Sequence, residues 1–186
     1  MTQADSLDSR NDLWIRMQRI ELIVLDVDGV LTNGQVIYGH PELEIKCFHV
    51  RDGSGLKIWR DQGKKVALIS GRSSPSVDRR AHELGITPVL QGRGNKGPAL
   101  QEIVQRTGVP TSQICAIGDD LPDLPVLRAC GVSVAVADAC SELRAMADHT
   151  TQAPGGSGAV RETIEWLLKA QGRWQAVIDS LNSIAG

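Results

Sequence analysis

Short apolar runs alternate with longer stretches of helical character along most of the chain. The runs are continuous and contain many branched side chains, which is typical of strands buried on both faces of a sheet. They are Leu22–Leu25, Val66–Ile69, Val89–Leu90, Ile114–Ile117 and Val132–Val136. The helical stretches are Gly55–Asp61, Ser76–Leu84, Pro98–Thr107, Pro122–Ala129 and Ser141–Ala147. This alternation predicts an α/β fold, a Rossmann-like three-layer sandwich with a central parallel sheet.

One segment interrupts the alternation. Gln35–Tyr38 and Leu43–Val50 predict two strands of a protruding hairpin, joined by a turn at residues 39–42. The second strand has apolar residues on both faces: Leu43, Ile45 and Cys47 on one, Phe48 and Val50 on the other. An isolated two-stranded ribbon is marginally stable, so we expect this hairpin to pair with other copies of the chain or to fold against its own sheet.

The chain of 186 residues is long enough for one ordinary domain. We expect a leader segment at residues 1–19, a main folded domain at 20–170 and a helical tail at 171–186, the helical character beginning near Gly158. The leader is polar and resembles no secretory signal. Four widely spaced cysteines without a C-x-x-C pair predict reduced thiols in a cytoplasmic protein: Cys47, Cys115, Cys130 and Cys140.

Charge and aromatic content both argue against nucleic acid as a partner. The formal net charge is -2, so no basic surface for nucleic acid is expected. Aromatic residues make up only 3% of the chain, which also argues against a surface that stacks bases. No apolar run approaches the roughly 18 residues of a membrane-spanning helix. A small phosphorylated substrate would therefore be bound by local cations.

Polar clusters follow four of the predicted strands directly. In open parallel sheets, ligands bind beyond the carboxyl ends of the strands, so these clusters are expected to meet at one edge. The residues concerned are Asp26 and Asp28, then Ser70, Gly71 and Arg72, then Lys96, then Asp119, Asp120 and Asp123. Several neighbouring carboxylates without histidine or cysteine predict a Mg²⁺ site. A hydroxyl, an ammonium group and backbone N–H groups predict phosphate binding.

A second motif overlaps this set. Residues 92–97 match the pattern G-x-G-x-x-G, and Asp119 follows at a distance suitable for binding a ribose. A dinucleotide site there would leave Asp26, Asp28 and Ser70 without a role. We therefore favour phosphate chemistry and retain nucleotide binding as an alternative.

The ordered clusters resemble the four motifs of the haloacid dehalogenase superfamily of phosphotransferases. Longer segments are similar to the 3-deoxy-D-manno-octulosonate 8-phosphate phosphatase family, whose activity belongs to lipopolysaccharide precursor synthesis. They are LDVDGVLTNG, FHVRDGSGLK, ISGRSSPSVDRRAHELGI, GDDLPDLPVLRACGVSVAVADA and GGSGAVRETIEWLL. Asn33 stands where that family commonly has aspartate.

The resemblance implies a role for each residue. Asp26 is the nucleophile and Asp28 the acid and base. Mg²⁺ is held by Asp26, Asp28 and Asp119 with support from Asp120 and Asp123. The phosphate is bound by Ser70, Gly71 and Lys96, and the sugar acid by Arg72, Asn33 and Arg51.

The spacing between the motifs leaves no room for a cap domain over the site. The resemblance implies a homotetramer whose hairpins help to close neighbouring sites. Two other functions stay open: a phosphatase of a nine-carbon, sialic-acid-type 9-phosphate, and a non-catalytic protein on a similar fold. Arg72 and the sequence Arg51-Asp52-Gly53 favour the eight-carbon substrate over the nine-carbon one.

Overall fold

The computed structural model describes residues 3–39 and 44–183, which fold around a parallel sheet. Its strands are β1 (Leu22–Leu25), β2 (Ile37–Tyr38), β3 (Glu44–Ile45), β4 (Lys65–Ile69), β5 (Val89–Leu90), β6 (Ile114–Gly118), β7 (Val132–Ala135) and β8 (His149–Thr150). Six of them pair in parallel in the spatial order β5-β4-β1-β6-β7-β8, and β2 pairs with β3 separately. All four residues of β1 are buried, because this strand lies between β4 and β6 in the middle of the sheet.

Helices flank the sheet, which confirms the predicted α/β architecture. They are α1 (Gln3–Gln18), α2 (Val50–Asp61), α3 (Pro75–Leu84), α4 (Lys96–Thr107), α5 (Leu124–Ala129), α6 (Ser141–Met146), α7 (Ala159–Ala170) and α8 (Trp174–Ser183). Helix α2 packs against α7, and α4 packs against α5. The described part of the chain contains no helix that is both long and apolar enough to cross a membrane.

The five strands predicted for the sheet agree with the structure to within one residue at each end. Strand β8 was not predicted, because a half-buried pair of residues has no periodic signal. The helix predicted at Pro122–Ala129 is divided into a 3₁₀ turn, Leu121–Asp123, and α5. Asp120 and Asp123 form a reciprocal capping box on that turn, which fixes their position at the sheet edge.

Helix α2 begins at Val50 and not at the predicted Gly55. Glycine is a poor helix former, so Gly53 and Gly55 disfavour a helix in the prediction for residues 50–54. In the structure Gly55 lets the backbone of α7 approach closely, and Gly53 leaves room for the guanidinium group of Arg80 on α3. A Cβ atom on Gly53 would lie 2.2 Å from Arg80 Nη2, and one on Gly55 would lie 3.2 Å from Arg161 Cα. Tertiary packing therefore overrides the local propensity.

The hairpin is shorter than predicted. Ile37 faces Ile45 and Tyr38 faces Glu44, and the second strand ends there. The extension of that strand to Val50 was wrong, because Phe48 forms an isolated bridge with Thr32 and Val50 begins α2. Leu43 and most of the predicted turn, residues 40–42, lie outside the described residues.

Both ends of the described chain are helical. The predicted tail helix is interrupted after α7, where Gly172 has a φ of +67° before α8 begins; Ala185 lies outside the described residues. Helix α1 packs against α7, and Met17 near its end is buried in the core. The side chain of Arg16 donates to Asp148 Oδ1 at 2.7 Å, which ties α1 to the segment before β8. The division into leader, main folded domain and tail stays a prediction.

Candidate active site

Asp26 is the first residue after β1, and the sheet fixes its backbone. Its N–H group donates to the Ile117 carbonyl at 3.1 Å, which continues the hydrogen bonding between β1 and β6. The chain then turns at Gly29, which has a φ of +107°, a conformation that favours glycine. A Cβ atom there would lie 2.0 Å from Asp119 Oδ2, so the Asp119 carboxylate packs directly on the Gly29 backbone. The turn thus brings the first and fourth clusters together.

Two later glycines support the same turn from the other side. The Gly156 N–H donates to the Val30 carbonyl at 2.8 Å. A Cβ atom on Gly155 would lie 1.7 Å from the Gly29 carbonyl oxygen. The loop before α7 therefore packs against the loop after β1 with no space for a larger side chain.

Lys96, the first residue of α4, is the cation of the buried site. Its ammonium group donates to Asp26 Oδ1 and to Asp123 Oδ1, both at 2.5 Å. The other oxygen of Asp123 accepts the backbone N–H groups of Asp119 at 3.0 Å and Asp120 at 3.4 Å. The side chains of Asp26, Lys96 and Asp123 are each 7% exposed or less, so water screens these charges poorly.

Carboxylate oxygens of Asp26, Asp119 and Asp123 lie within 4.8 Å of one another. Burial raises the pKa of Asp26 to about 6, although the ammonium group of Lys96 opposes this shift. Burial, reinforced by the carboxylates of Asp26 and Asp123, raises the pKa of Asp119 to about 8. The cluster therefore holds more negative charge than Lys96 neutralises. An all-oxygen donor set of this kind fits Mg²⁺.

Asp28 also lines this cavity, but its side chain has a different partner. The ammonium group of Lys46 donates to Asp28 Oδ1 and lies 2.9 Å from Glu44 Oε1. Glu44 Oε2 in turn accepts a hydrogen bond from Arg72 Nη2 at 2.5 Å. Neither Lys46 nor Glu44 was predicted from the sequence. Their signal was the alternation of Glu44 and Lys46 with apolar Ile45 and Cys47, which places the two charged residues on one face.

The predicted phosphate-binding turn follows β4. Ser70 is almost wholly buried, and its hydroxyl accepts the backbone N–H of Arg72 at 3.1 Å. Gly71 and Arg72 line the cavity directly, whereas Ser70 lies behind them. The cavity, of about 290 Å³, is lined by Asp26, Asp28, Gly71, Arg72, Lys96, Asp119, Asp120, Pro122 and Asp123.

Two predicted substrate residues lie away from this cavity. Asn33 is exposed, and its side chain accepts the backbone N–H of Gln35 at 3.2 Å. Arg51 is exposed on the first turn of α2 and lines a separate cavity with Arg161 and Glu162. The described chain alone does not bring these two side chains to the carboxylates.

The cysteines take no part in the site. All four are free thiols, with Cys115 buried in β6 and Cys47 exposed beside the hairpin. Burial raises the pKa of Cys130 to about 12, so this thiol is an unreactive packing group. All four positions lie among the described residues, and the reduced state of the thiols stays a prediction.

The fold and the acidic cavity define the class of protein. Residues 88–162 match the family model of the haloacid dehalogenase-like hydrolases. The chain is similar to the solved structure of a haloacid dehalogenase superfamily (subfamily III A) hydrolase from Legionella pneumophila, with a TM-score of 0.90 and 35% identity over 97% of this chain and 100% of that one.

Two individual relatives identify the family within this superfamily. The 3-deoxy-D-manno-octulosonate 8-phosphate phosphatase of Haemophilus influenzae is 43% identical over 85% of this chain and 88% of its own length. The Moraxella catarrhalis phosphatase of the same name, solved with magnesium, phosphate and its sugar acid, has a TM-score of 0.88 and 43% identity over 92% of this chain and 98% of that one. The chain belongs to the 3-deoxy-D-manno-octulosonate 8-phosphate phosphatase family.

Proposed function

We propose that this protein hydrolyses 3-deoxy-D-manno-octulosonate 8-phosphate to the free sugar acid and inorganic phosphate, a step in lipopolysaccharide precursor synthesis. The observation that supports this most directly is the meeting of Asp26, Asp28, Lys96 and Asp119 around one cavity at the carboxyl ends of the strands. The identity of the substrate is inferred from the family relationship.

Asp26 is the nucleophile in this proposal. A carboxylate oxygen forms a bond to phosphorus while the bond from phosphorus to the sugar oxygen breaks, which leaves an aspartyl-phosphate. The reaction needs the ionised carboxylate. With a pKa of about 6, Asp26 is mostly ionised at neutral pH, and the hydrogen bond from Lys96 fixes one of its oxygens.

Asp28 moves the protons. In the first step it donates a proton to the leaving sugar oxygen, and in the second it takes a proton from the water that attacks phosphorus. The second step breaks the bond between phosphorus and the Asp26 oxygen, so inorganic phosphate leaves, the Asp26 carboxylate is restored and Asp28 is again protonated.

The remaining residues bind the metal ion and the phosphoryl oxygens. Asp26, the backbone carbonyl of Asp28 and Asp119 would hold Mg²⁺, supported by Asp120 and Asp123. When bound, the ion neutralises the charge on the phosphoryl oxygens during transfer. Ser70, the backbone at Gly71 and Lys96 bind the same oxygens from the protein side.

Arg72 provides selectivity for the sugar acid. Arg72 lines the cavity beside Gly71, and a guanidinium group is suited to a carboxylate because it presents paired donors. In the single chain one of these donors, Nη2, contacts Glu44 Oε2. Asn33 and Arg51 complete the substrate site in this proposal. Since both lie outside the cavity of the single chain, their participation requires a second subunit or movement of their segments.

We further propose a cytoplasmic homotetramer assembled through the hairpin. Apolar side chains at the hairpin are exposed in the single chain, and Tyr38 is 77% exposed. The others are Val36, Ile37 and Ile45. Covering these groups with the same surface of other copies would remove apolar area from water and place neighbouring chains close to the cavity.

Phosphate release tests the substrate assignment. The full chain is assayed with 3-deoxy-D-manno-octulosonate 8-phosphate, a nine-carbon sialic-acid-type 9-phosphate and ribose 5-phosphate, each with EDTA, Mg²⁺ or Ca²⁺. We expect the highest kcat/KM for the eight-carbon acid, and activity with Mg²⁺ above that with Ca²⁺. A higher kcat/KM for the nine-carbon acid would change the substrate assignment. Release of phosphate in EDTA at the same rate as in Mg²⁺ would refute the mechanism.

A further inference from the structure

Lys46 directly follows β3 of the hairpin, and its side chain is turned inward. Its side chain is 1% exposed, whereas the adjacent residues Ile45 and Cys47 are exposed. Burying a lysine ammonium group is unfavourable unless carboxylates compensate for the lost hydration. Here both compensating groups are known: Asp28 and Glu44.

The contact with Asp28 involves one carboxylate oxygen only. Lys46 donates to Oδ1, and no side chain or backbone group of the described residues donates to Oδ2. An acid and base in catalysis must present one oxygen to the proton acceptor in a fixed direction. The lysine contact fixes Oδ1 and leaves Oδ2 for the proton.

We propose that Lys46 is a positioning residue that orients the Asp28 carboxylate for proton transfer to the leaving oxygen. This inference rests on the proposed role of Asp28 as acid and base. Glu44 extends the arrangement, because it contacts Lys46 with one oxygen and Arg72 with the other. The residue that orients the acid is thereby joined to the residue proposed to select the sugar acid.

The leaving group of the substrate separates this role from a purely structural one. A sugar alkoxide needs a proton to leave, so its transfer depends on a well-oriented Asp28. The p-nitrophenolate anion leaves without a proton, so the formation of the aspartyl-phosphate from p-nitrophenyl phosphate does not depend on it. Any general disturbance of Asp26, Mg²⁺ or the fold slows both reactions.

The experiment compares the first turnover of wild type and Lys46→Met with these two esters at saturating Mg²⁺. We expect Lys46→Met to slow the first turnover of the sugar phosphate by about ten- to a hundred-fold, and the p-nitrophenol burst by less than about three-fold. Asp28→Asn provides the reference pattern for loss of the acid. Lys57→Met, which changes an exposed lysine on α2, is the matched control and should behave as wild type.

Equal slowing of both esters by Lys46→Met would show a structural role and overturn the proposal, as would no effect on either. If wild type turns over ribose 5-phosphate but not the eight-carbon acid, only the substrate assignment fails, and the same comparison is made with ribose 5-phosphate. If Asp28→Asn slows both esters equally, the proposed acid role of Asp28 fails before Lys46 is considered.

Discussion

The ammonium group of Lys96 and the carboxylate of Asp123 form an ion pair of 2.5 Å in which neither side chain is more than 6% exposed. Asp123 uses its second oxygen to hold the backbone N–H groups of Asp119 and Asp120. The pair therefore joins the start of α4 to the loop after β6, and the position of Asp119 depends on a lysine that it does not contact directly.

Replacement of this lysine should affect both stability and activity. Lys96→Met keeps the length of the side chain but leaves two buried carboxylates without their cation. Breaking a buried pair costs about 3–5 kcal/mol, so we expect the free energy of unfolding in urea to fall by that amount at neutral pH. The loss should shrink in acid, where the carboxylates are protonated, and phosphatase activity should be lost throughout.

Lys65→Met is the control for this variant, because Lys65 is exposed at the start of β4. Exposed substitutions change the free energy of unfolding by roughly 0.5 kcal/mol. A Lys96→Met protein as stable as the control would show that the ion pair contributes nothing net to the fold.

Asp26→Asn should abolish turnover without unfolding the protein. An amide cannot attack phosphorus, yet it occupies the same volume and still accepts a hydrogen bond from Lys96. Phosphate release and the melting temperature are measured on the same preparation. A folded variant that retains more than a small fraction of the wild-type rate would exclude Asp26 as the nucleophile.

Arg72→Ala should reduce selection for the sugar acid more than general phosphatase activity. Loss of one charge-assisted contact is worth about 1.5–3 kcal/mol, or roughly ten- to a hundred-fold in relative kcat/KM. The comparison uses 3-deoxy-D-manno-octulosonate 8-phosphate and p-nitrophenyl phosphate. Equal losses with both substrates would mean that Arg72 supports the cavity, for instance through Glu44, and does not recognise the sugar acid.

Stability without metal should fall as the pH rises. The pKa of Asp119 is raised to about 8 in the native protein, above the ordinary value of 3.8, so the native state holds a proton that the unfolded chain releases. The free energy of unfolding then decreases with increasing pH between these two pKa values and levels off above the native one, about 8. In EDTA we expect the melting temperature to decrease from roughly pH 6.5 to 8, and Mg²⁺ to raise it most at the upper end.

The variant Asp119→Asn tests the source of this pH dependence. It has no proton to release in that window, so its melting temperature in EDTA should change less with pH than that of wild type. A wild-type melting temperature that rises between these pH values would contradict the assignment.

The sheet and the acidic centre could be predicted because each depends on local sequence. Buried strands such as β1 are continuous apolar runs, and parallel strands place their following residues at one edge, so Asp26, Lys96 and Asp119 were expected to meet. Lys46 could not be found in this way. Lys46 reaches the site because the chain folds back after β3. That path is determined by long-range contacts with Asp28, which leave no local signal in the sequence.

The start of α2 shows a second limit of prediction from the sequence. Gly53 and Gly55 disfavour a helix when judged locally, and only the close approach of α3 and α7 explains why they are there. Asn33 and Arg51 show a third limit, because the proposed part of these two residues in the substrate site depends on contacts that the fold of a single chain does not provide.

The glycine contact between the loop before α7 and the turn after β1 has a consequence for synthesis. A chain leaving the ribosome exposes Asp26 early, but the support at Gly155 and Gly156 is made only when most of the chain has been translated. The nascent polypeptide therefore contains Asp26 long before it has a rigid turn to hold this residue. The supported turn, and with it the complete site, can form only late in translation, after the C-terminal part of the domain has emerged.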